Sequence, residues 1–495
     1  MRARWVVRVS LVTSAALTLL LTQSGAASAS PSGRRMAASE ARTLTNVPFS
    51  ITTSPGLNPS FNPNIHYYVL RCSDAPSTTI AASGSGKVSI GGQRVPEPAS
   101  ISVPLAANQA ITVSHGTQKY AIRCLPADFP NYAATQSGIS QGSGFLVAPN
   151  VLGSTSQYVI AFDSNDVPVW WERQGYAQNP MFFGQSQIGW WTGAVACGGG
   201  CGAGQYTIRT LDGAPALTLG GSVNPSAPID FHDFQKVSGN RYLATMYVPG
   251  QTADLTSWGL SSNQTVTDSQ IVELNKQSQI VWRWSALAHI DPATSNINWR
   301  TAVPDVFHIN SVQMVGNQII VSFRHLDAVY DIDATTGNVI WKLGGTPTLQ
   351  GLTVTGNSTF NTQAYPQLFS GQHDAKLQAD GTLTVHDNAA SENRPSRALR
   401  FQINPTAMSA TVIEDVTDAN HPIPSFCCGS VQKLSTGNWL VDWGAGNYVA
   451  ELDPLGTTVN QISYGPATSY RVSPVTATDA ALSRGMDAMF PPFTS

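Results

Sequence analysis

From residue 46 onward, apolar and polar residues alternate in short runs that end at Gly, Pro, Asn or Asp. A period of two belongs to half-buried strands, because successive side chains point to opposite faces of a sheet. Between residues 46 and about 128 the runs "KVSIGG", "SISVPL", "AITVSH" and "KYAIRC" predict a small β-sandwich, placed over 46–130. Beyond residue 135 a longer unit recurs: a strand, an Asp or Asn, a short turn and a second strand. Its copies are "VIAFDSNDVPVWW" (159–171), "TIRTLDGAPALTL" (207–219), "QIVELNKQSQIVW" (270–282), "AVYDIDATTGNVIW" (328–341), "ALRFQINPTAMSATVI" (398–413) and "YVAELDPLGTTVNQI" (448–462). The shared position falls on Asp163, Asp212, Asn275, Asp333, Asn404 and Asp453, at intervals of 49, 63, 58, 71 and 49 residues. Propeller blades repeat at roughly 40–50 residues and sandwiches need about 100 each, so six copies predict a six-bladed β-propeller over 135–475. The whole chain therefore reads as all-β, with a linker over 30–45 and a C-terminal tail over 476–495.

Three predicted strands share a further feature. "DFHDFQKVSGNRYLATMY" (230–247), "DVFHINSVQMVGNQIIVSFRH" (305–325) and "GQHDAKLQADGTLTVHDN" (371–388) each place a histidine just before an alternating run. The offsets from His232, His308 and His373 to the turn glycines Gly239, Gly316 and Gly381 are seven, eight and eight residues. The innermost strand of a blade starts near the central channel, so equivalent positions in different blades converge there. The pattern predicts three imidazoles at one channel mouth. The other six histidines, His66, His115 and His421 among them, do not share the frame and read as structural. Asp230, Asp233, Asp305 and Asp374 flank the three and either orient their tautomers or, by strand alternation, point away.

Charged residues make up 12% of the chain against a usual ~25%, and the net charge is −3, so no basic face for nucleic acid is visible. Arg2, Arg4 and Arg8, the apolar run "VSLVTSAALTLLLT" (9–22) and Ala27-Ser28-Ala29 read as a signal peptide over 1–29. No cysteine follows that run and no later stretch suits a membrane span, so a secreted, extracellular protein without membrane insertion is expected. In that compartment six cysteines suggest disulfides. Cys72 and Cys124 each end a strand-like run of the N-terminal module and are expected to pair. Cys197 and Cys201, and Cys427 and Cys428, close locally or cross-link. Two thiols without a nearby histidine make a poor metal site.

The stretch "SPGLNPSFNPNIHYYVLRC" (54–72) resembles the opening of cadherin-like β-sandwich modules of bacterial surface proteins. More specifically, "VFHINSVQMVGNQIIVSFRHLDAVYDIDATTGNVIWKLGG" (306–345) resembles the core of PAPS-independent arylsulfotransferases: a His-x-Asn-Ser strand start, a Ser-x-Arg-His strand end, a Thr-Gly turn and Trp-x-Leu-Gly-Gly. The likeness runs from about 140 to 465. It implies an exported six-bladed propeller behind a small β domain that moves a sulfuryl group from an aryl sulfate donor to a phenolic acceptor through a sulfated histidine. By motif it places the nucleophile on His373, supporting histidines at His232 and His308, and a polar clamp at Asn310 and Arg324. No closely spaced cysteine pair immediately precedes His373, so the resemblance does not carry a disulfide beside the nucleophile. Homodimer formation or cell-wall attachment are the partner roles left to the N-terminal module.

The chemistry of these residue types agrees. Sulfuryl transfer, like phosphoryl transfer, spreads charge over three peripheral oxygens. Arg324 offers them a planar fork of N–H groups and Asn310 a further donor. A neutral imidazole attacks, and a proton from His308 or His232 helps the phenolate leave. No cofactor, nucleotide or metal is required. Two other classes fit parts of the pattern. Three converging histidines suit a metal-dependent propeller hydrolase or oxidase, which a cationic arginine in the same place disfavours. A non-catalytic ligand-binding propeller would use Trp170, Trp171, Trp190, Trp191 and Trp282 as stacking surfaces.

Overall fold

The computed structural model describes residues 48–494 except 73–76, 85, 97, 137–141, 143, 150–156, 197–200, 296 and 357–367. The expected signal peptide, the linker and Cys197 lie outside them. The N-terminal module is two sheets facing each other. Ser50–Ser54, Thr78–Ser83 and Ala99–Val103 form one; Tyr67–Leu70, Gln118–Cys124, Ala110–His115, Val88–Ile90 and Gln93–Val95 form the other. Ile80, Ile90, Ile111, Val113 and Ile122 fill the space between them, each essentially inaccessible. Cys72 and Cys124 are bonded at the edge of this core. Closing a loop of 52 residues is worth about 4 kcal/mol in a chain-entropy treatment.

Among the described residues six sheets follow, each built on an antiparallel meander, with Thr353–Thr355 added parallel to the outer edge of the fifth. The first holds Phe145–Val147, Gln157–Phe162 and Pro168–Gln174, with Ser473–Pro474 as its inner edge. The second to fourth begin at Gln178, Phe234 and Ile309 and hold four strands each; the fifth, from His373–Leu377, and the sixth, from Ser430–Lys433, hold five. Each sheet is apolar on both faces, so each is buried only against two neighbours. One core joins Trp191 and Tyr206 of the second sheet to Phe234 and Val272 of the third. Similar cores join the third to the fourth, the fourth to the fifth and the fifth to the sixth. Val449 and Ile462 of the sixth pack with Phe145 and Val159 of the first, which closes the ring. Chain ends lock it: Phe145 pairs with Pro474, and Asn460 with Gln136.

The repeated Asp or Asn explains the repeat. Each ends the third strand of its sheet and folds its carboxylate or amide oxygen back onto the following turn. Asp163 accepts from the N–H groups of Asn165 (2.8 Å) and Val167 (2.9 Å), Asn275 from Gln277 and Gln279, Asp333 from Thr335 and Thr336, and Asp453 from Leu455 and Thr457. Short polar side chains are favoured there because they supply this bond locally.

The last residues are not a tail. Asp479–Met489 is a helix, capped by the Thr478 side chain accepting from the N–H of Ala481. It buries Leu482 and Met486 in the core of the first sheet, and Asp487 pairs with Arg123 of the sandwich at 2.5 Å. Phe493 then packs against the sandwich core. No helix among the described residues is long and apolar enough to cross a membrane.

Candidate active site

The first strands of the third, fourth and fifth sheets all begin on the same side of the ring. His232 stands just before Phe234–Lys236, His308 just before Ile309–Val315, and His373 opens His373–Leu377. Their starts are irregular. Ile309 faces Phe323 and Ser311 faces Ser322, so Asn310 is the extra residue of a bulge, and the register also slips between His373 and Lys376. Bulges re-aim side chains that strict alternation would send elsewhere. His308 (φ +54°) and Asp374 (φ +51°) lie in the left-handed region, at a cost of roughly 1–2 kcal/mol each. Strain of this kind is concentrated where geometry matters more than stability.

His232 and His308 meet edge to face, with ring centres 5.0 Å apart. Each is held by a carboxylate: Asp230 Oδ1 bonds His232 Nδ1, and Asp305 Oδ2 lies 2.6 Å from His308 Nδ1. An imidazole nitrogen facing a carboxylate carries the proton, so in neutral His308 the lone pair sits on Nε2. Burial, with the charges of His232 and Arg324, holds His308 well below the usual histidine range. Neutral and in this tautomer, His308 presents a lone pair and must take up a proton before it can donate one. Of the four flanking aspartates only Asp230 and Asp305 serve the histidines. Asp233 and Asp374 turn to Arg471 (3.0 and 3.5 Å) instead.

His373 lies one sheet further on. Its Nδ1–H is shared by the Gly371 carbonyl (2.9 Å) and Asn388 Oδ1 (2.7 Å), which again leaves the lone pair on Nε2. Nε2 accepts a long bond of 3.2 Å from the Cys428 N–H, and Asn388 Nδ2 holds the Cys428 carbonyl at 2.9 Å. Burial and the Arg324 charge keep His373 well below the usual range, so it is neutral. Cys427 and Cys428 are bonded to each other. A disulfide thus does lie beside His373, contributed from the loop before the sixth sheet rather than from the sequence preceding the histidine.

Arg324 follows the second strand of the fourth sheet, Gln318–Phe323. Its Nη1 donates to His325 Nε2 (2.9 Å), its Nη2 to the Phe426 carbonyl (2.6 Å), and its guanidinium lies 4.2 Å from the Trp299 ring centre. Its Nε is buried without a hydrogen-bond partner among the described residues. Asn310 donates Nδ2–H to the Gln372 carbonyl at 2.6 Å, and its Oδ1 is likewise unpartnered. One of its two N–H groups is therefore committed to joining sheets.

Several participants escaped the histidine frame. His325 stacks on Trp299 (5.0 Å), donates Nδ1–H to the Asp305 carbonyl (2.6 Å) and is pushed down to about 3 by burial and His308. It stands at a strand end rather than a strand start, so the frame passed over it although it sits in the quoted "SFRH". Tyr470, from the loop after the sixth sheet, lies 5.4 Å from His232 and 6.4 Å from His373 between ring centres. Only its distance from any repeat position hid it. Asp305, His308 and His325 present ligand atoms within 4.8 Å of one another, and are the group among the described residues that suits a metal ion. Both ring nitrogens of His325 are already engaged, one of them by a cation. The tryptophans proposed as stacking surfaces are packing residues: Trp170, Trp171, Trp190 and Trp191 are buried and Trp282 is partly so.

The all-β ring of sheets thus gathers the His308, His325 and His373 imidazoles near the Arg324 guanidinium. The chain belongs to the arylsulfotransferase (ASST) family, whose model matches residues 180–465, more than half of the 495. No curated protein matches it. Among solved structures it is similar to the periplasmic gluconolactonase PpgL of Pseudomonas aeruginosa, at 12% identity and TM-score 0.39 over 67% of this chain and 99% of that one. A protein of unknown function from Bacteroides caccae is similar at 11% identity and TM-score 0.36, over 67% and 98% of the two chains. Likeness at these scores carries no argument here.

Proposed function

We propose that the protein is a PAPS-independent arylsulfotransferase in which His373 Nε2 carries the sulfuryl group from an aryl sulfate to a phenol. The observation that supports this most is the pairing of a neutral His373, its lone pair on Nε2, with a nearby arginine whose Nε–H is buried and unused. In the first half-reaction the O–S bond of the donor breaks as an N–S bond forms, and the Arg324 charge meets the peripheral oxygens and the departing phenolate. The Cys428 N–H, displaced from Nε2, becomes one more donor to a sulfuryl oxygen. In the second, the acceptor's phenolic oxygen attacks sulfur, the N–S bond breaks and the proton passes to His308 Nε2, whose cation then sits beside Asp305. That proton goes to the phenolate released in the next turnover, so the cycle balances. His232, held by Asp230, backs His308, and Asn310 fixes the sheet that bears it while offering its second N–H. The reading includes export through residues 1–29, which sequencing the secreted protein's N-terminus would check.

The test is a single-turnover burst. Excess aryl sulfate without acceptor should release about one equivalent of phenol, steady-state kinetics should be ping-pong, and mass spectrometry should find the sulfonate on the peptide containing His373. An adduct on His308 or His232 would overturn the roles; sequential kinetics with no adduct would overturn the mechanism. The Asp305–His308–His325 group favours one other reading, a metal-dependent hydrolase or oxidase. A stoichiometric metal whose removal by chelator abolishes turnover would support it.

A further inference from the structure

Phe426 is 68% exposed and is the one aromatic among the exposed large hydrophobic side chains of the described residues. Its backbone is the reverse of loose. Ser425 N–H bonds both the Asn388 carbonyl (3.0 Å) and Ser396 Oγ (2.8 Å), and Ser425 Oγ donates to the Cys427 carbonyl (2.9 Å). On the other side the Cys427–Cys428 bond and Asn388 hold the chain. This fixed segment touches both halves of the candidate site. The Phe426 carbonyl accepts from Arg324 Nη2, and two residues later the Cys428 N–H reaches His373 Nε2. A residue bonded at once to the guanidinium and, through its second neighbour, to the nucleophile sits on the rim of the site. A ring that stays in water while its backbone is fixed on either side has no packing partner among the described residues. The buried, unused Nε–H of Arg324 independently indicates that an anionic group binds beside it.

We infer that the Phe426 ring is the contact for the aryl portion of donor and acceptor and so determines which phenols the enzyme prefers. This rests on the sulfuryl-transfer reading. With the sulfuryl group between Arg324 and His373, the ester oxygen and its ring extend outward past the rim. An aromatic face there favours flat, extended phenols, because aromatic pairs gain more than their buried area alone provides. The same face does nothing for an acidic alcohol that lacks a ring.

The experiment compares wild type with Phe426→Ala, Phe426→Leu and Phe426→Tyr. 4-Nitrophenyl sulfate is the donor, with phenol, 2-naphthol and hexafluoroisopropanol as acceptors. In Phe426→Ala the KM for phenol should rise about threefold and for 2-naphthol about tenfold, a tenfold change being ~1.4 kcal/mol. The KM for the fluorinated alcohol should not move, and saturating donor should still give a burst of about one equivalent. Phe426→Tyr should restore the naphthol preference and Phe426→Leu should restore only part of it. Equal KM changes for all three acceptors, or none, with the burst intact, would overturn the inference. So would a lost burst in Phe426→Ala beside a normal one in Phe426→Tyr, which would make the residue part of the scaffold under Arg324. Absence of any burst in wild type would instead overturn the sulfuryl-transfer reading.

Discussion

The inner strands have two ends, and the two are built on opposite principles. At the end where they begin, imidazoles, a guanidinium and an amide crowd together with polar atoms left over: Arg324 Nε, Asn310 Oδ1 and Asp305 Oδ1 are buried without hydrogen-bond partners among the described residues. At the far end a cavity of about 510 Å³ is lined by Asp233, Asp374, Lys376 and Arg471, and there the charges answer one another. Lys376 and Arg471 both pair with Asp233 (2.5 and 3.0 Å), and Arg471 reaches on to Asp374. Gln235 exchanges two hydrogen bonds with the backbone of Met314, and Gln313 two with Leu377, so each straps its sheet to the next. Paired charges of this kind hold the sheets together, and on this cavity Arg471 Nε and Asn179 Oδ1 also lack hydrogen-bond partners among the described residues. At the other end the unpartnered atoms lie among imidazoles and a guanidinium, and a buried polar group without a partner is costly unless something else completes it. The far end is thus dominated by ion pairs, and the end where the strands begin carries the candidate chemistry.

Substitutions should separate the two. His373→Asn should lower turnover on the order of 10³-fold or more, since groups that act as a unit fail together, while thermal unfolding stays within a few degrees of wild type. A surviving burst would move the nucleophile elsewhere. Arg471→Met should do the reverse, costing roughly 3–5 kcal/mol of stability because it removes the ion-pair partner of buried Asp374 and leaves Asp233 with Lys376 alone. Denaturant unfolding measures that cost, and an unchanged midpoint would break the distinction between the ends. Arg324→Lys should lower kcat/KM by roughly 10²–10³-fold, because one ammonium cannot reproduce the fork.

The acid limb of kcat/KM tests the electrostatics of the chemical end. Burial and Arg324 depress His373 in the folded state, so as pH falls through histidine's ordinary ~6.5 the folded protein still keeps it neutral. Activity should persist below that value and be lost only when the depressed pKa is reached; a limb at 6.5 would mean an ordinary imidazole. The smallest effect belongs to Gln313→Ala, which frees two backbone partners and should cost about 1–2 kcal/mol without changing KM for either substrate.

Much of the architecture was legible because it is carried by local rules repeated along the chain. Alternation marks strands, and the Asp or Asn at each outer turn marks the hairpins, since its oxygen satisfies N–H groups within four residues of itself. The same register placed His232, His308 and His373 at equivalent strand starts. His325, Tyr470, Asn388 and the Cys427–Cys428 pair were not legible in that frame, because each reaches the site from a strand end or a loop between sheets. The tryptophans are a mixed case: their place at strand ends in the repeat frame already favoured blade packing over stacking surfaces, and the structure shows Trp170, Trp171, Trp190 and Trp191 buried.

By itself, then, the sequence determined the all-β class, the family and three histidines at one repeat position, all properties set by neighbours a few residues apart or by a recurring period; the Cys72–Cys124 bond, expected because each cysteine ends a strand-like run, spans 52 residues and is made only in the folded sandwich. Tertiary structure alone decided how those histidines act. Which carboxylate holds which ring, and hence where each lone pair lies, depends on bulges and left-handed residues that alternation does not encode. Arg324 is aimed by the Phe426 carbonyl, 102 residues away, and Cys428 meets His373 across 55. Hydrogen bonds at that separation exist only once the ring of sheets has closed, because no local preference brings their ends together.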